Sequence, residues 1–272
     1  MRFHDDAPGH RWILFVGNAT TIIRWDDVTV MTDPNFLHRG QWAYLGKGLV
    51  SRRRTDPALG LADLPPLDAI VLSHLHGDHF DRVARRGLDH DLPILTTPHA
   101  ARRLHAHGFA RTRPLRTWQE STVLNGGTRL RVTSVPGRHG PALLHRLLPP
   151  VMGSVLEFGR VGEPTEFRLY VSGDTLMFRD IAEIPRRFPG IDAALVHLGG
   201  TTLPGGILVT MDGGQGTRLV QTVGPERVMP IHYDDYGVFT SPLSDFQRSM
   251  GEAGLDGRIR LLPRGEAVAL PG

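Results

Sequence analysis

A cluster of histidine and aspartate side chains directly after an apolar run limits the folds that this chain can adopt. Residues 68–73 form an apolar run of strand character, and the next six residues read His-Leu-His-Gly-Asp-His. Three imidazoles and a carboxylate so close together cannot all face one way on a regular helix or strand. A tight loop can make them converge, and Gly77 supplies the backbone freedom that this loop needs. The motif therefore predicts a cation-binding loop at a strand end.

Three later side chains argue against the alternative, a polar loop that happens to be rich in histidine. His139, Asp174 and His232 each follow a separate apolar run of strand character. The carboxyl ends of strands are where α/β folds gather their binding sites. One histidine in such a place would more often be structural, but four strands that all lead to possible ligands indicate a shared cation site. The predicted metal ligands are His74, His76, Asp78, His79, His139, Asp174 and His232.

The composition determines which donor atoms and which ions suit this site. The 272 residues include fourteen histidines and no cysteine, so a metal site must be built from imidazoles and carboxylates. This donor set suits zinc, and also manganese or iron. We favour zinc because tetrahedral imidazole sites suit it.

The pattern of apolar residues predicts an α/β fold in one domain, residues 1–272. We expect strands at 12–16, 20–25, 28–31, 68–73, 93–96, 128–135, 154–158, 167–172, 193–197 and 227–232, with two short strands at the chain end. We expect helices at 80–88, 98–107, 176–187, 215–223 and 243–252. Early hairpins followed by alternating strands and helices predict a four-layer α/β/β/α sandwich, in which two mixed β-sheets are flanked by helices. Residues 33–66 show no clear period and are predicted to form a long loop.

The order and spacing of the predicted ligands resemble those of the metallo-β-lactamase superfamily. The shared pattern is His-x-His-x-Asp-His, then a single His, a single Asp and a final His, and the resemblance extends from about residue 12 to residue 262. The segments GNATTIIRWDDVTVMTDPNF, LPPLDAIVLSHLHGDHFD and VMPIHYDDY resemble most the branch that contains ascorbate-6-phosphate lactonase and the N-acylphosphatidylethanolamine-hydrolysing phospholipase D. Members of that branch commonly carry Gly-His-Ala-Thr at the first turn, where this chain has Asn18 in place of the histidine.

The resemblance implies two divalent metal ions as cofactors. The first ion would be bound by His74, His76 and His139. The second would be bound by Asp78, His79 and His232, and Asp174 would bridge both. Asp33 matches an aspartate that orients a ligand histidine in the family, whereas a simple turn residue before Pro34 is the alternative.

This site predicts a hydrolase that acts on a small-molecule substrate. Two metal ions would lower the pKa of a bridging water, and the resulting hydroxide would attack an ester or lactone, an amide or a phosphodiester. Asp78 could accept the proton as well as bind metal. His197 could hydrogen-bond a substrate oxygen or be structural, and Tyr233 and Tyr236 could supply a hydroxyl or serve only in packing.

Two other functions stay open. One is a nuclease of the same superfamily, although such nucleases carry an inserted domain, and 272 residues with a formal net charge of +3 leave little room for one. Nucleic acid is therefore a disfavoured partner. The other is a metal-retaining binding protein without turnover, against which the complete ligand set argues. Hydrolysis of β-lactams is disfavoured because the chain shows no export signal.

The chain is expected to be cytoplasmic and to lack a membrane span. The first residues, MRFHDDAPGHRW, contain no apolar run of the signal-peptide kind. No stretch approaches the roughly 20 apolar residues that a membrane span needs.

A basic run lies in the predicted loop 33–66. Arg52, Arg53 and Arg54 could form a cationic rim beside an apolar wall at residues 140–150, which would favour an amphiphilic anionic substrate. A solvated surface is the alternative for these arginines.

Overall fold

Strands make up most of the regular structure in the computed structural model of the chain. The structure describes residues 9–46, 48–141, 148–203 and 205–271. The strands are β1 (Arg11–Gly17), β2 (Thr20–Trp25), β3 (Val28–Thr32), β4 (Trp42–Gly46), β5 (Leu49–Arg52), β6 (Ala69–Leu72), β7 (Ile94–Thr96), β8 (Thr112–Pro114), β9 (Glu120–Asn125), β10 (Thr128–Val135), β11 (Gly153–Arg160), β12 (Phe167–Val171), β13 (Ala193–His197), β14 (Thr202–Leu203), β15 (Ile207–Leu208), β16 (Arg227–Ile231) and β17 (Ala267–Ala269).

Five α-helices lie among the described residues. They are α1 (Arg82–Gly87), α2 (Pro98–Ala106), α3 (Glu183–Arg187), α4 (Gly213–Val223) and α5 (Leu243–Glu252). Short 3-10 turns occur at Leu61–Asp63, Arg179–Ala182 and Asp256–Arg258. None of the helices in this part of the chain is both long and apolar enough to cross a membrane.

Two mixed sheets hold most of the strands in the described part of the chain. The first has the order β17-β1-β2-β3-β6-β7-β8, and the second has the order β16-β13-β12-β11-β10-β9. The first sheet is antiparallel from β17 to β3 and parallel from β3 to β8. The second is antiparallel from β9 to β12 and parallel across β12, β13 and β16. Strands that run the same way bring their carboxyl ends to one edge, where ligands can gather.

The sheets pack face to face and helices cover their outer faces. Alternate residues of one strand enter different cores, so Ile23 and Trp25 lie between the sheets while Ile22 faces α1 and α2. Between the sheets, Trp25 stacks on Phe158 and Phe167 at centroid distances of 5.6 and 5.0 Å. Helices α3, α4 and α5 cover the other outer face. The predicted four-layer α/β/β/α architecture is confirmed.

Several local predictions were wrong. The expected loop 33–66 contains the hairpin β4–β5, and the expected helix 176–187 is a 3-10 turn followed by the short helix α3. The strands β8 and β9 were not predicted. The described chain end has one short strand, β17, and isolated bridges at Ile259 and Arg264 instead of two strands.

Candidate metal centre

The seven predicted ligands lie together and are buried at the carboxyl-end edge of the two sheets. Strand β6 leads into the His-x-His-x-Asp-His loop, and β10, β12 and β16 lead to the other three side chains. The ligand atoms fall into two groups, and within each group they lie no more than 4.8 Å apart. The first group is His74, His76 and His139. The second is Asp78, His79, Asp174 and His232.

Backbone carbonyls fix the orientation of two of the imidazoles. Nδ1 of His139 lies 2.9 Å from the carbonyl oxygen of Val209. Nδ1 of His232 lies 3.1 Å from the carbonyl oxygen of Leu198. Since a carbonyl accepts a hydrogen bond, Nδ1 carries a proton in each ring, and Nε2 is the nitrogen that faces the interior of the site.

Asp33 fixes the orientation of two further ligand rings, directly for His79 and through Ser73 for His74. It follows β3, and its Oδ2 lies 3.0 Å from Nδ1 of His79 and accepts a 2.8 Å hydrogen bond from Ser73 Oγ. Ser73 Oγ in turn lies 3.0 Å from Nδ1 of His74. Burial alone would raise the pKa of Asp33, but His79 and His197 outweigh it and lower the pKa to about 2. Asp33 is therefore a permanent carboxylate acceptor behind the ligands.

Unpartnered buried atoms show that the ligand set fits a cation. Buried polar atoms in proteins almost always have a hydrogen-bond partner. Five atoms of the predicted ligands have none among the described residues: His76 Nε2, Asp78 Oδ1, His79 Nε2, Asp174 Oδ1 and His232 Nε2. Imidazole nitrogens and carboxylate oxygens without other partners are the donors that zinc, manganese and iron bind.

The first group is electrically neutral. Burial and the neighbouring His79 and His76 lower the pKa of His74 well below its ordinary value. Burial and His139 lower the pKa of His76 to about 3. Both imidazoles are therefore unprotonated at pH 7, which is the form that binds metal.

The second group is rich in negative charge. Burial alone would lower the pKa of His79 and of His232, but Asp174 and Asp78 outweigh it and raise both. Burial would raise the pKa of Asp174, yet His232 and His79 hold it well below its ordinary value. The carboxylates of Asp78 and Asp174 thus stabilise positive charge nearby. A bound cation would take the place of the protons on His79 and His232.

The hairpin β4–β5 packs directly on the ligand loop. Gly77 N donates to Tyr44 O at 2.9 Å. A Cβ atom at position 77 would lie 2.6 Å from the same carbonyl oxygen, closer than real Cβ atoms approach. The glycine is therefore needed for this close approach.

Asn18 connects the segments that carry Asp78 and His232. The lactonase and phospholipase branch that this chain resembles commonly has a histidine at this position. Nδ2 of Asn18 donates to Asp78 O at 2.6 Å, and the Asn18 carbonyl oxygen accepts from His232 N at 2.9 Å. Asn18 N donates to Asp235 Oδ2 at 2.7 Å. Its φ of +54° is a left-handed conformation that asparagine tolerates better than most residues. Asn18 thus acts as a structural clamp on the site.

The expectation that Arg53 belongs to a cationic rim or a solvated surface was wrong. Its side chain is fully buried, with Nη2 3.3 Å from Asp235 Oδ1. Arg53 also bonds Asn35, whose Oδ1 accepts a 2.9 Å hydrogen bond from the hydroxyl of Tyr236. Tyr236 is buried as well, so the structure supports its packing role.

His197 lies behind the ligands. It is fully buried, its Nδ1 is 3.3 Å from Ser172 Oγ and its Nε2 is 3.4 Å from Asp33 Oδ2. Its ring stacks on that of His79 at 5.9 Å. Tyr233 is half-buried against the core that α3, α4 and α5 cover.

A cleft of about 1000 Å³ opens onto the first group, where His76 and His139 form part of its wall. Residues 148–150 of the expected apolar wall line the cleft together with Val151, whereas Gly140 and Pro141 are not among the lining residues. Residues 142–147 of that wall lie outside the described residues. Residues 52–54 are not among the described residues that line it.

The residues of α2 and its C-terminal cap that face the cleft were not predicted as part of the site. His99, Arg103 and His107 all line it, and they are four residues apart along α2 and its C-terminal cap. Residues at this spacing share one face of a helix. The spacing of Arg103 between the two histidines was the signal that could have revealed this face.

The chain is similar to proteins that are named metal-dependent hydrolases and have a similar length. A family model described as "Beta-lactamase superfamily domain" matches residues 29–233. A UPF0173 metal-dependent hydrolase from Thermus thermophilus is 27% identical over 262 residues, which span 95% of this chain and 98% of the relative.

Two solved structures resemble the whole architecture. The isothiocyanate hydrolase from Delia radicum gut bacteria has a TM-score of 0.78 at 21% identity, covering 96% of this chain and 100% of that chain. A possible metal-dependent hydrolase from Veillonella parvula has a TM-score of 0.79 at 22% identity, with coverage of 96% and 100%. At this level of identity, the likeness shows a shared fold.

Proposed function

The chain belongs to the beta-lactamase superfamily, and from this premise we propose that it is a dinuclear metal-dependent hydrolase of small molecules. The observation that carries the proposal is the pair of buried ligand groups, in which five buried atoms have no hydrogen-bond partner among the described residues. The names of similar proteins support the same chemistry, since the Thermus thermophilus protein is named a metal-dependent hydrolase and the protein from Delia radicum gut bacteria is named an isothiocyanate hydrolase. The narrower resemblance to the lactonase and phospholipase branch stays a prediction.

The two groups would each hold one ion. His74, His76 and His139 would bind the first, and Asp78, His79 and His232 would bind the second. Asp174 would be shared. When bound, such ions lower the pKa of water and polarise a carbonyl or phosphoryl oxygen, which suits cleavage of an ester or lactone, an amide or a phosphodiester.

Other roles would fall to side chains of the protein, which would orient the metal-binding residues and accept a proton from the attacking water. Asp78 Oδ1 is buried without a partner, and we assign it the acceptance of a proton from the attacking water. Asp33 would orient His79 through Nδ1, and His197 would in turn position Asp33. We prefer this positioning role for His197 to contact with substrate because its side chain is fully buried.

Metal analysis tests the proposal. Protein purified without chelator is expected to contain about two transition-metal ions per chain, measured by mass spectrometry of the elements. His76→Ala should lose metal and hydrolysis together. His105→Ala is the matched control, since His105 is exposed on α2 and does not line the cleft. A metal-free protein that takes up neither zinc, manganese nor iron would contradict the proposal.

A substrate panel separates the proposed hydrolase from its two alternatives. It should contain a 4-nitrophenyl ester, a thiolactone, bis(4-nitrophenyl) phosphate, allyl isothiocyanate and a short DNA duplex. Turnover of the small molecules supports the proposal. Cleavage of DNA alone would favour a nuclease, and metal-loaded protein inactive on every member would favour a binding protein.

The role of Asp33 has a separate test. Asp33→Asn is expected to weaken metal binding about 10- to 100-fold, because the groups behind metal ligands typically contribute this much to affinity. Competition with a chromogenic chelator measures the change. Asp56→Asn is the control, since Asp56 also faces a histidine, His38 at 3.2 Å, but on the exposed surface. Equal metal affinity in both variants would exclude the orienting role.

A further inference from the structure

We propose that the cleft selects small organic anions with an apolar part, and that Arg85, Arg103 and Arg138 bind the anionic group. The inference rests on the proposed function, because the same cleft opens onto His76 and His139. It names the class of substrate that the site would take.

The cleft wall carries positive charge that the protein does not neutralise. The three arginines line the cleft, and no aspartate or glutamate is among the described residues that do so. Within the described part of the chain, no carboxylate oxygen lies within 4.0 Å of their guanidinium groups. Some arginines elsewhere are paired, as Arg131 and Arg168 are with Glu157 at 2.7 and 3.0 Å. Guanidinium groups without a carboxylate partner are suited to bind carboxylate, sulfonate or phosphate groups.

Arg138 links the charged wall to the metal centre. It directly precedes His139, and its guanidinium lies 4.7 Å from the ring centre of Phe178. Its Nε is buried and has no hydrogen-bond partner among the described residues. An anionic group held there would lie beside the first group of metal ligands.

Arg103 lies on α2 and lines the same cleft. Nε of Arg103 donates to Nε2 of His99 at 3.2 Å. Burial and Arg103 lower the pKa of His99, so that its imidazole stays neutral and can accept this bond. The Nδ1 of His99 is buried without a partner. The histidine therefore orients the arginine without cancelling its charge.

Apolar side chains share the cleft with these arginines. Leu75, Phe80, Leu104 and Val151 line it. A volume of about 1000 Å³ is at the upper end of the range for small-molecule sites. An apolar wall beside an unpaired cationic wall fits an amphiphilic anion better than a neutral or a fully polar molecule.

A pair of fluorescent dyes tests the inference directly. 8-Anilinonaphthalene-1-sulfonate has an apolar body and one sulfonate, and N-phenyl-1-naphthylamine is the same molecule without the sulfonate. Their dissociation constants should be measured for the wild type and for the variant with Arg85→Gln, Arg103→Gln and Arg138→Gln. The control variant carries Arg86→Gln and Arg102→Gln, because these neighbours on α1 and α2 are exposed and are not among the cleft residues.

The triple variant should raise the dissociation constant of the sulfonate dye at least about tenfold, since several charge-assisted contacts are lost. The control variant should change it less than about twofold, because Arg86 and Arg102 do not line the cleft. The neutral dye should bind all three proteins alike. Equal sulfonate affinity in the triple and control variants would overturn the inference.

Repeating the titrations with metal-free and zinc-loaded protein separates this inference from the proposed function. A chain that takes up no metal but binds the sulfonate dye through the arginines would contradict the proposed function and support the inference. If the zinc-loaded protein is active but the triple variant binds the sulfonate dye as tightly as the wild type, the inference is overturned and the proposed function stands.

Discussion

Asp174→Asn is expected to lower hydrolysis at least about 100-fold while the protein stays folded. Groups behind a metal ligand typically contribute 10- to 100-fold to affinity or activity, so a shared ligand should contribute at least the upper value. Asp174 is well placed for sharing because its Oδ2 lies 3.3 Å from His79 Nε2 and its Oδ1 lies 3.6 Å from His232 Nε2. The amide of asparagine has one oxygen and no negative charge, so it cannot act as a ligand of both metal ions.

Metal content and circular dichroism make this result specific. The variant should contain fewer metal ions per chain than the wild type, with an unchanged far-ultraviolet spectrum. Asp192→Asn is the matched control, since Asp192 accepts a 2.7 Å hydrogen bond from Arg168 N far along the chain from the ligand loop. If a folded Asp174→Asn protein kept wild-type activity on the best substrate of the panel, Asp174 would not be a shared ligand.

Asp235→Ala is expected to lower the free energy of unfolding by about 3–5 kcal/mol, because it leaves a buried charge without its partner. The side chains of Arg53 and Asp235 are both 0% exposed. Asp235 also accepts from Arg264 at 2.7 Å and from Asn18 N at 2.7 Å. The loss should therefore loosen the clamp that Asn18 places on the ligand segments, and metal affinity should fall as well.

Asp234→Ala is the matched control for this effect. Asp234 is the preceding residue and also pairs with Arg264, but its side chain is 49% exposed. An exposed pair contributes about 1 kcal/mol or less. Urea-induced unfolding of the metal-free proteins measures both changes. Similar losses in the two variants would show that the buried pair with Arg53 adds no special stability.

Burial explains which elements could be predicted from the pattern of residues. The bounds predicted for β10, β13 and α5 agree with the structure. Most residues of β10 and all residues of β13 are buried, so these strands are recognisable as apolar runs. In the hairpin β4–β5, Ala43 and Leu45 are buried, whereas Trp42 and Tyr44 are 55% and 59% exposed. Because β4 carries apolar residues on both faces, it lacks the alternation of apolar and polar residues that marks a half-buried strand.

Pro185 explains the error in the predicted helix 176–187. It lies inside α3, where the missing backbone N–H is tolerated because the residue is in the first turn. Only residues 183–187 are α-helical, after the 3-10 turn Arg179–Ala182. Apolar spacing alone does not reveal where a proline divides such a segment.

The candidate ligands could be predicted from residue order alone, because each metal-capable side chain follows an apolar strand within a few residues. The residues that surround these ligands depend on tertiary packing. Arg53 and Asn18 both bond to Asp235, which lies 182 and 217 residues further along the chain. No local pattern indicates such pairings. The same holds for the cleft, where Arg85, Arg103 and Arg138 come together from two helices and a loop. Ligation depends on residue type at a strand end, whereas the charge and shape of a cleft depend on which distant segments pack side by side.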